Sequence, residues 1–363
     1  MSAPALKVLS LGAGVQSTCL LLMAAEGHLP RLDAAIFAGT GWEPRSVYDH
    51  LDRIEREIAG PAGIPILRVS SGNIRSDALD PSKRFASIPL HILNSDGGEG
   101  MSRRQCTGQY KVRPIKEQVR ELLGYPHPQR IPAGVHVEQW IGISVDEFHR
   151  AKDANVAYMK NRFPLIEAGF SRSDCLRLLR SRGFGQTPKS ACLGYPYHGN
   201  SQWRALRDGS PQEWQDVVKF DAAIRSGNAR ATAQGTPLLG QAYLHHSRRP
   251  LDQAPIDRVT AHEWSGRQGN IFDAVADAEL ENGEQDGCSP WSCRSGVPRP
   301  GRSRSRSLTP LPVQESTRVL AQPFLPFGPL RTPCPVTSRP ARRSVVAGRR
   351  TGLGRYHRSD VHR

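Results

Sequence analysis

Short apolar runs alternate with amphipathic stretches over the first half of the chain. Val8-Leu9-Ser10-Leu11 is an apolar run ending in Gly12-Ala13-Gly14, and a strongly apolar helical stretch, Ser17 to Glu26, follows at once. The order is strand, glycine turn, helix. It repeats: Ala34-Ala35-Ile36-Phe37 reads as a buried strand, Thr40 to Pro44 as a turn, and Ser46 to Ile58 as an amphipathic helix. Ile66-Leu67-Arg68-Val69 is a third strand. Tyr110 to Leu123 has helical spacing, with Pro114 near its first turn and Val119, Leu122 and Leu123 available for packing. Trp140-Ile141-Gly142-Ile143-Ser144 reads as a central strand running into the polar string Asp146-Glu147-Phe148-His149-Arg150.

Such alternation predicts an α/β fold, a doubly wound and mainly parallel sheet with ligands gathering at the carboxyl ends of its strands. After Phe163 the pattern turns helical, over Asp174 to Ser181, Ser201 to Arg207 and Gln212 to Ile224, which predicts a smaller helical appendage. The chain thus divides into an α/β domain at 1–162, a helical appendage at 163–293 that carries cysteine motifs, and a tail at 294–363.

Charge separates the tail from the rest. The chain carries 49 Lys and Arg against 34 Asp and Glu, a net +15. Residues 294–363 hold 15 Arg and no Lys against only Glu315 and Asp360, so the tail supplies +13 of that excess. A basic footprint favours nucleic acid when it lies on a folded surface, and the remaining chain is nearly neutral. With ten Pro and a Gly-Arg-Ser-Arg-Ser-Arg-Ser run, residues 296–363 cannot bury enough surface to offset ordering entropy and are expected to be disordered. Both a non-functional extension and a real basic arm fit that composition.

Seven Cys, odd in number and unevenly spaced, fit a reducing compartment better than a disulfide framework. The longest apolar run, Cys19 to Ala25, is far short of the roughly 18 residues that span a bilayer. No charged leader precedes an apolar core at the N-terminus, so the expected location is the cytoplasm, with no membrane partner.

The string Gly12-Ala13-Gly14-Val15-Gln16-Ser17-Thr18 lies where a strand enters a helix, a geometry that turns backbone N–H groups toward an anion. It is neither a Walker A loop nor a dinucleotide fingerprint, since no Gly-Lys-Ser/Thr and no third Gly follow, and Ala38-Gly39-Thr40 stands where a ribose-binding acid would. Two Gly also serve simply to permit a tight turn. Lys111 and Arg113 are cations that stabilise transferred phosphate or, equally, a solvated helix face. Asp146 and Glu147 follow a strand's carboxyl end. Adjacent acids point different ways, so one is expected to cap a helix or pair with a cation, leaving at most one, with Asp146 as the catalytic candidate.

Taken with later strings, the glycine loop resembles the PP-loop of the adenine nucleotide alpha hydrolase-like superfamily, in the branch of phosphoadenosine phosphosulfate (PAPS) reductase-like proteins. The strings are Thr40-Gly41-Trp42-Glu43-Pro44, Arg104-Gln105-Cys106-Thr107, Tyr110-Lys111-Val112-Arg113-Pro114-Ile115, Ile141-Gly142-Ile143-Ser144 with Asp146-Glu147, and Lys189-Ser190-Ala191-Cys192 with Pro196-Tyr197-His198. Their order matches over roughly residues 6 to 293. The resemblance implies that Ser10, Gly12, Gly14, Gln16, Ser17 and Thr18 hold the phosphates of ATP or PAPS, with Lys111 and Arg113 completing the clamp. Gln16 and Gly39 replace two expected acids, which counts against magnesium-assisted attack.

Cys106, Cys192, Cys288 and Cys293 sit in polar or turn contexts, whereas Cys19 and Cys175 lie on helices among Leu. Four thiolates suit zinc or an iron-sulfur cluster, with His198 as a substitute ligand; structural thiols and redox nucleophiles are the alternatives. Tyr195 replaces the second Cys of the Cys-x-x-Cys-Pro string common in the family. The resemblance implies either ATP-dependent adenylation with sulfur transfer, to an acceptor such as tRNA or DNA, or sulfonucleotide reduction by Cys288 or Cys293 with a thioredoxin-like reductant. A catalytically silent nucleotide binder, or a nucleic-acid binder acting through the Arg-rich tail, is the contrasting expectation.

Overall fold

The computed structural model describes residues 3–84 and 87–260. Cys288, Cys293 and the 294–363 tail lie outside the described residues.

The chain begins with β1 (Leu6–Ser10), turns through Gly12-Ala13-Gly14 and enters α1 (Val15–Ala25). It continues through β2 (Ala34–Gly39), α2 (Arg45–Ile54, extended by a π turn over Glu55–Ala59), β3 (Ile66–Ser70) and the short α3 (Ile74–Leu79). A hairpin of β4 (His91–Asn94) and β5 (Glu99–Met101) precedes a π turn at Gly108–Val112, which leads into α4 (Arg113–Leu122). Then come β6 (Val137–Ile141), a 3-10 turn at Val145–Arg150, β7 (Met159–Arg162), α5 (Pro164–Glu167) and α6 (Arg172–Ser181). The described residues close with α7 (Asn200–Gly209), α8 (Pro211–Ala223), α9 (Ala229–Ala233), β8 (Gly240–Tyr243) and a 3-10 turn at Leu251–Gln253.

Five strands form a parallel sheet in the order β3-β2-β1-β6-β7, so the fold is α/β. Side chains alternate faces along each strand. Leu9, Leu11, Ala35, Phe37 and Trp140 pack with α1, α2 and α6 on one face, whereas Val8, Ile36, Ala38 and Val137 pack with Ile115 and Val119 of α4 on the other. β2 is buried along its whole length, as a strand covered on both faces must be, and its sequence is correspondingly apolar throughout.

Two features depart from the expected organisation. α6 belongs to the α/β layer, since Cys175, Leu176 and Leu179 share a core with α1, although it follows the expected boundary at 162. The appendage is not purely helical: β4, β5 and β8 form an antiparallel sheet in the order β5-β4-β8, joined by one core to α7 and α8 through Ile92, Trp203, Val217, Phe220 and Ala242. The expected strand at 140–144 lies at Val137–Ile141, which leaves Gly142, Ile143 and Ser144 to form the loop beyond its carboxyl end.

Local sequence sets the helix starts. Ser171 and Asp174 form a capping box at α6, Asn73 accepts from the N–H groups of Arg75 and Ser76 at α3, and Pro114 and Pro211 stand in the first turns of α4 and α8. α1 is different. Its N-cap is Gly14, which has no side chain to satisfy the first amides. Among the described residues no helix is long and apolar enough to cross a membrane.

Candidate functional site

Between β1 and β6 the strand order reverses: the chain leaves β1 for β2 on one side and later returns to β6 on the other. Crevices for ligands open at such a switch point, beyond the carboxyl ends of the strands. The Gly12-Ala13-Gly14 turn stands there. Ala13 has φ of +56°, a left-handed conformation that costs an L-residue about 1 kcal/mol. Such a residue turns successive N–H groups toward a common point, the arrangement of an anion nest.

That point is held by the hydroxyl of Ser17. Gly12 N donates to Ser17 Oγ at 3.2 Å and Gly14 N at 3.3 Å, and Ser17 Oγ donates to Gly14 O at 3.2 Å. All three bonds exceed the 2.9–3.0 Å mode for N–H···O or the shorter mode for O–H···O. Gly142, just past β6, abuts the same helix start: a Cβ there would lie 2.8 Å from Ser17 N. Only a glycine fits so close to the first turn of α1. Ser10, the last residue of β1, is 5 % exposed, and its hydroxyl has no hydrogen-bond partner among the described residues.

The flanks of the turn are charged and buried. On the β2 side, Lys111 Nζ lies 3.8 Å from Glu43 Oε1, with both side chains almost wholly buried. Glu43 also accepts from Thr40 N at 2.8 Å and from the Tyr48 hydroxyl at 2.7 Å. On the β6 side, Gln16 donates to Glu147 at 3.2 Å and accepts from Arg172 at 2.9 Å. Glu147 pairs with Arg150; burial pushes its carboxyl above the usual range, opposed by Arg150 and Arg172.

The expected site residues therefore divide. Ser10, Gly12, Gly14 and Ser17 gather at the turn. Gln16 is spent between an acid and a guanidinium, and Thr18, wholly buried, meets His50 Nε2 at 3.1 Å between α1 and α2. Lys111 is a buried ion-pair partner and not a solvated cation, but Arg113 lies on an exposed face, where it pairs with Glu117 at 2.8 Å. Asp146 accepts from Arg172 N at 2.6 Å and Ser144 Oγ at 3.3 Å, which makes it an anchor for the start of α6.

Cys106 packs in a core with Trp42, Tyr110 and Trp203, and Cys192 clusters with Ala191 and Tyr195. Both are buried. His198 directs its ring nitrogens to Gln202 Oε1 at 3.0 Å and Cys192 O at 3.3 Å, and burial and then the Lys189 charge push its pKa down to about 4. Among the described residues no three His, Cys, Asp or Glu side chains assemble as a metal-binding group. Cys19 and Cys175 are core thiols, as expected; the Cys19 neighbour and burial together push the Cys175 thiol up.

Sequence reasoning quoted Glu43 and Ser190 within longer strings without giving either a role, and did not name Arg172. Glu43 follows the turn after β2, four residues beyond Gly39, where an acid was sought. Ser190 touches the glycine turn from a segment nearly 180 residues away, a proximity its string does not reveal.

Comparison with protein-family models finds no match, and comparison with curated proteins finds none either.

Proposed function

We propose that the chain is a PAPS reductase-like protein of the PP-loop superfamily that binds an adenine nucleotide, ATP or PAPS, at the Gly12–Ser17 turn and carries out sulfur-related chemistry on it. One observation carries this reading: a nest of backbone amides at the switch point of a parallel sheet, satisfied only by long bonds to a side-chain hydroxyl. A phosphate oxygen accepts from the same amides through shorter, charge-assisted bonds.

The residues present fit a phosphate. A Cβ on Gly12 would meet only the hydroxyls of Ser17 and Ser190, each at 3.7 Å, so the turn keeps a small cradle lined by donors. Magnesium fits less well, because position 16 offers a neutral amide already engaged. Burial of Cys106 and Cys192 limits their access as attacking thiols, which favours chemistry that begins at the nucleotide. In that scheme the nest orients the phosphates, and a tRNA, a DNA or a small sulfur donor is the reaction partner.

Gly12→Ala tests the reading, because its methyl fills the cradle without a close contact. Calorimetric titration of the full chain with ATP and with PAPS is expected to show saturable binding, weakened about 10-fold or more in the variant at unchanged thermal stability. Failure of both nucleotides to bind the wild-type chain overturns the proposal. Binding without release of sulfite when a dithiol reductant is supplied, or of pyrophosphate when a tRNA or DNA acceptor is supplied, assigns the chain to a silent nucleotide-binding module.

A further inference from the structure

The glycine turn has a second wall, and it comes from a distant part of the chain. Ser190 lies in the connection between α6 and α7, against both glycines of the turn. Its hydroxyl is 3.7 Å from the position of a Cβ on Gly12, and its own Cβ is 3.3 Å from that of a Cβ on Gly14. The Ser190 hydroxyl is buried and has no hydrogen-bond partner among the described residues. The same holds for Ser10 Oγ on the strand that leads into the turn.

An unsatisfied buried hydroxyl is destabilising. The Ser190 hydroxyl, next to amides whose internal acceptor sits at long distance, is a donor still without an acceptor. Groups in that condition mark a place where a ligand completes the hydrogen bonding. The groups that line the turn and can donate are the Gly12 and Gly14 amides and the hydroxyls of Ser17 and Ser190. Amides that can only donate, beside hydroxyls that can turn to donate, favour an anion with several acceptor oxygens.

We infer that Ser190 is an oxyanion ligand, donating its hydroxyl to the phosphate or sulfate-like group seated on the Gly12–Gly14 amides, so that the α6–α7 connection closes the site. This rests on the nucleotide reading above and extends it to a residue outside the β1–α1 turn. When the anion arrives, it takes over from Ser17 Oγ as acceptor of the two amides, Ser17 turns the proton it gives to Gly14 O toward the anion, and Ser190 gains its missing partner. No covalent step is involved.

The connection is held firmly enough to serve. Leu193 N donates to Trp42 O at 2.8 Å, and the Trp42 ring lies so close over Gly194 that a Cβ there would come within 2.2 Å of it. Trp42 belongs to the loop after β2, and its indole nitrogen donates to Asp216 of α8 at 2.8 Å. The segment just after Ser190 is thereby tied to the loop after β2 and, through Trp42, to α8.

The test compares full-length wild type with Ser190→Ala, using inorganic pyrophosphate, ATP and adenosine as separate probes in calorimetry, and thermal unfolding of the unliganded proteins. Expected are affinities for pyrophosphate and ATP about 10-fold weaker in the variant, and adenosine binding that does not change. Unliganded stability should be equal or slightly higher, because the substitution removes an unsatisfied hydroxyl. A purely structural role would lower stability and spare anion affinity, and that result overturns the inference. Equal affinities in both proteins overturn it while leaving nucleotide binding intact. If wild type binds pyrophosphate but neither ATP nor PAPS, the nucleotide reading fails and Ser190 is judged on pyrophosphate alone. Absence of binding for every probe removes both.

Discussion

The glycine turn at the start of α1 and the segment that follows Ser190 treat their polar groups in opposite ways. Along Gly12–Ser17 the amides lean on one serine hydroxyl at 3.2–3.3 Å, an arrangement that another acceptor can replace. Along Cys192–His198 nearly everything is spent. His198 has an oxygen facing each ring nitrogen and donates its one N–H to one of them, Tyr195 packs on Tyr197 and His198 with ring centroids 5.4 and 5.5 Å apart, and His198 packs edge-on to Trp203 at 4.7 Å. The first stretch is organised for exchange, the second for rigidity, and a site that must accept a ligand in a fixed place uses both.

The sharpest way to break this contrast is to disturb the rigid side. Gly194→Ala places a methyl within the Trp42 ring and is expected to cost about 3 kcal/mol in urea unfolding. A loss under about 1 kcal/mol would mean that the indole moves aside and the frame is softer than its packing indicates.

Protonation probes the same frame more gently. His198 is held neutral, its pKa lowered from 6.5 to about 4 by burial first and by Lys189 second. The unfolded chain binds the proton more readily, so this stability is complete above pH 6.5 and is lost as pH falls toward 4. About 3 kcal/mol is expected from this residue. His50 and His245 act with the same sign, so the measurement is the difference in pH dependence between wild type and His198→Gln. Identical slopes would remove His198 from the account.

On the exchangeable side, Ser17→Ala strips two amides of their acceptor and should cost about 1 kcal/mol in anion-free buffer. Added phosphate should recover part of it; a cost indifferent to phosphate would show that the amides are satisfied some other way. The smallest effect belongs to Arg113→Ala, expected to change stability by less than about 0.5 kcal/mol, since its pair with Glu117 is exposed. A 10-fold loss of ATP affinity in that variant would instead mean that the guanidinium swings to the phosphates and restore the two-cation clamp.

Legibility in the sequence followed the range of the interactions involved. β1, β2 and β3 and the helices between them were readable, because runs such as Ala34–Phe37 are buried on both faces and need no distant partner to declare themselves. β7 was not: Met159-Lys160-Asn161-Arg162 lies at the sheet edge, and only its pairing with β6 makes it a strand. β6 was displaced by three residues because Glu138 and Gln139 interrupt its apolar pattern, although Gln139 is fully buried. At the site, the glycine turn was legible for the same local reason. Lys111 and Arg113 looked equivalent in sequence, two residues apart on a helical segment, yet packing sends one into the interior and the other to solvent. Arg113 has a local partner in Glu117, four residues on, whereas the partner of Lys111, Glu43, comes from the distant loop after β2.

The antiparallel sheet carries a consequence for how the protein is made. β4 is its central strand, but its second partner, β8, lies nearly 150 residues further along the chain. At roughly 5–20 residues per second, a ribosome takes about 7–30 seconds to deliver it. Through that interval the Ile92 edge of the hairpin is complete on one side and open on the other, the condition in which strands recruit the wrong neighbour. The hazard in the biogenesis of this protein therefore lies with a waiting hairpin, and slowing synthesis after Met101 should raise the fraction that aggregates.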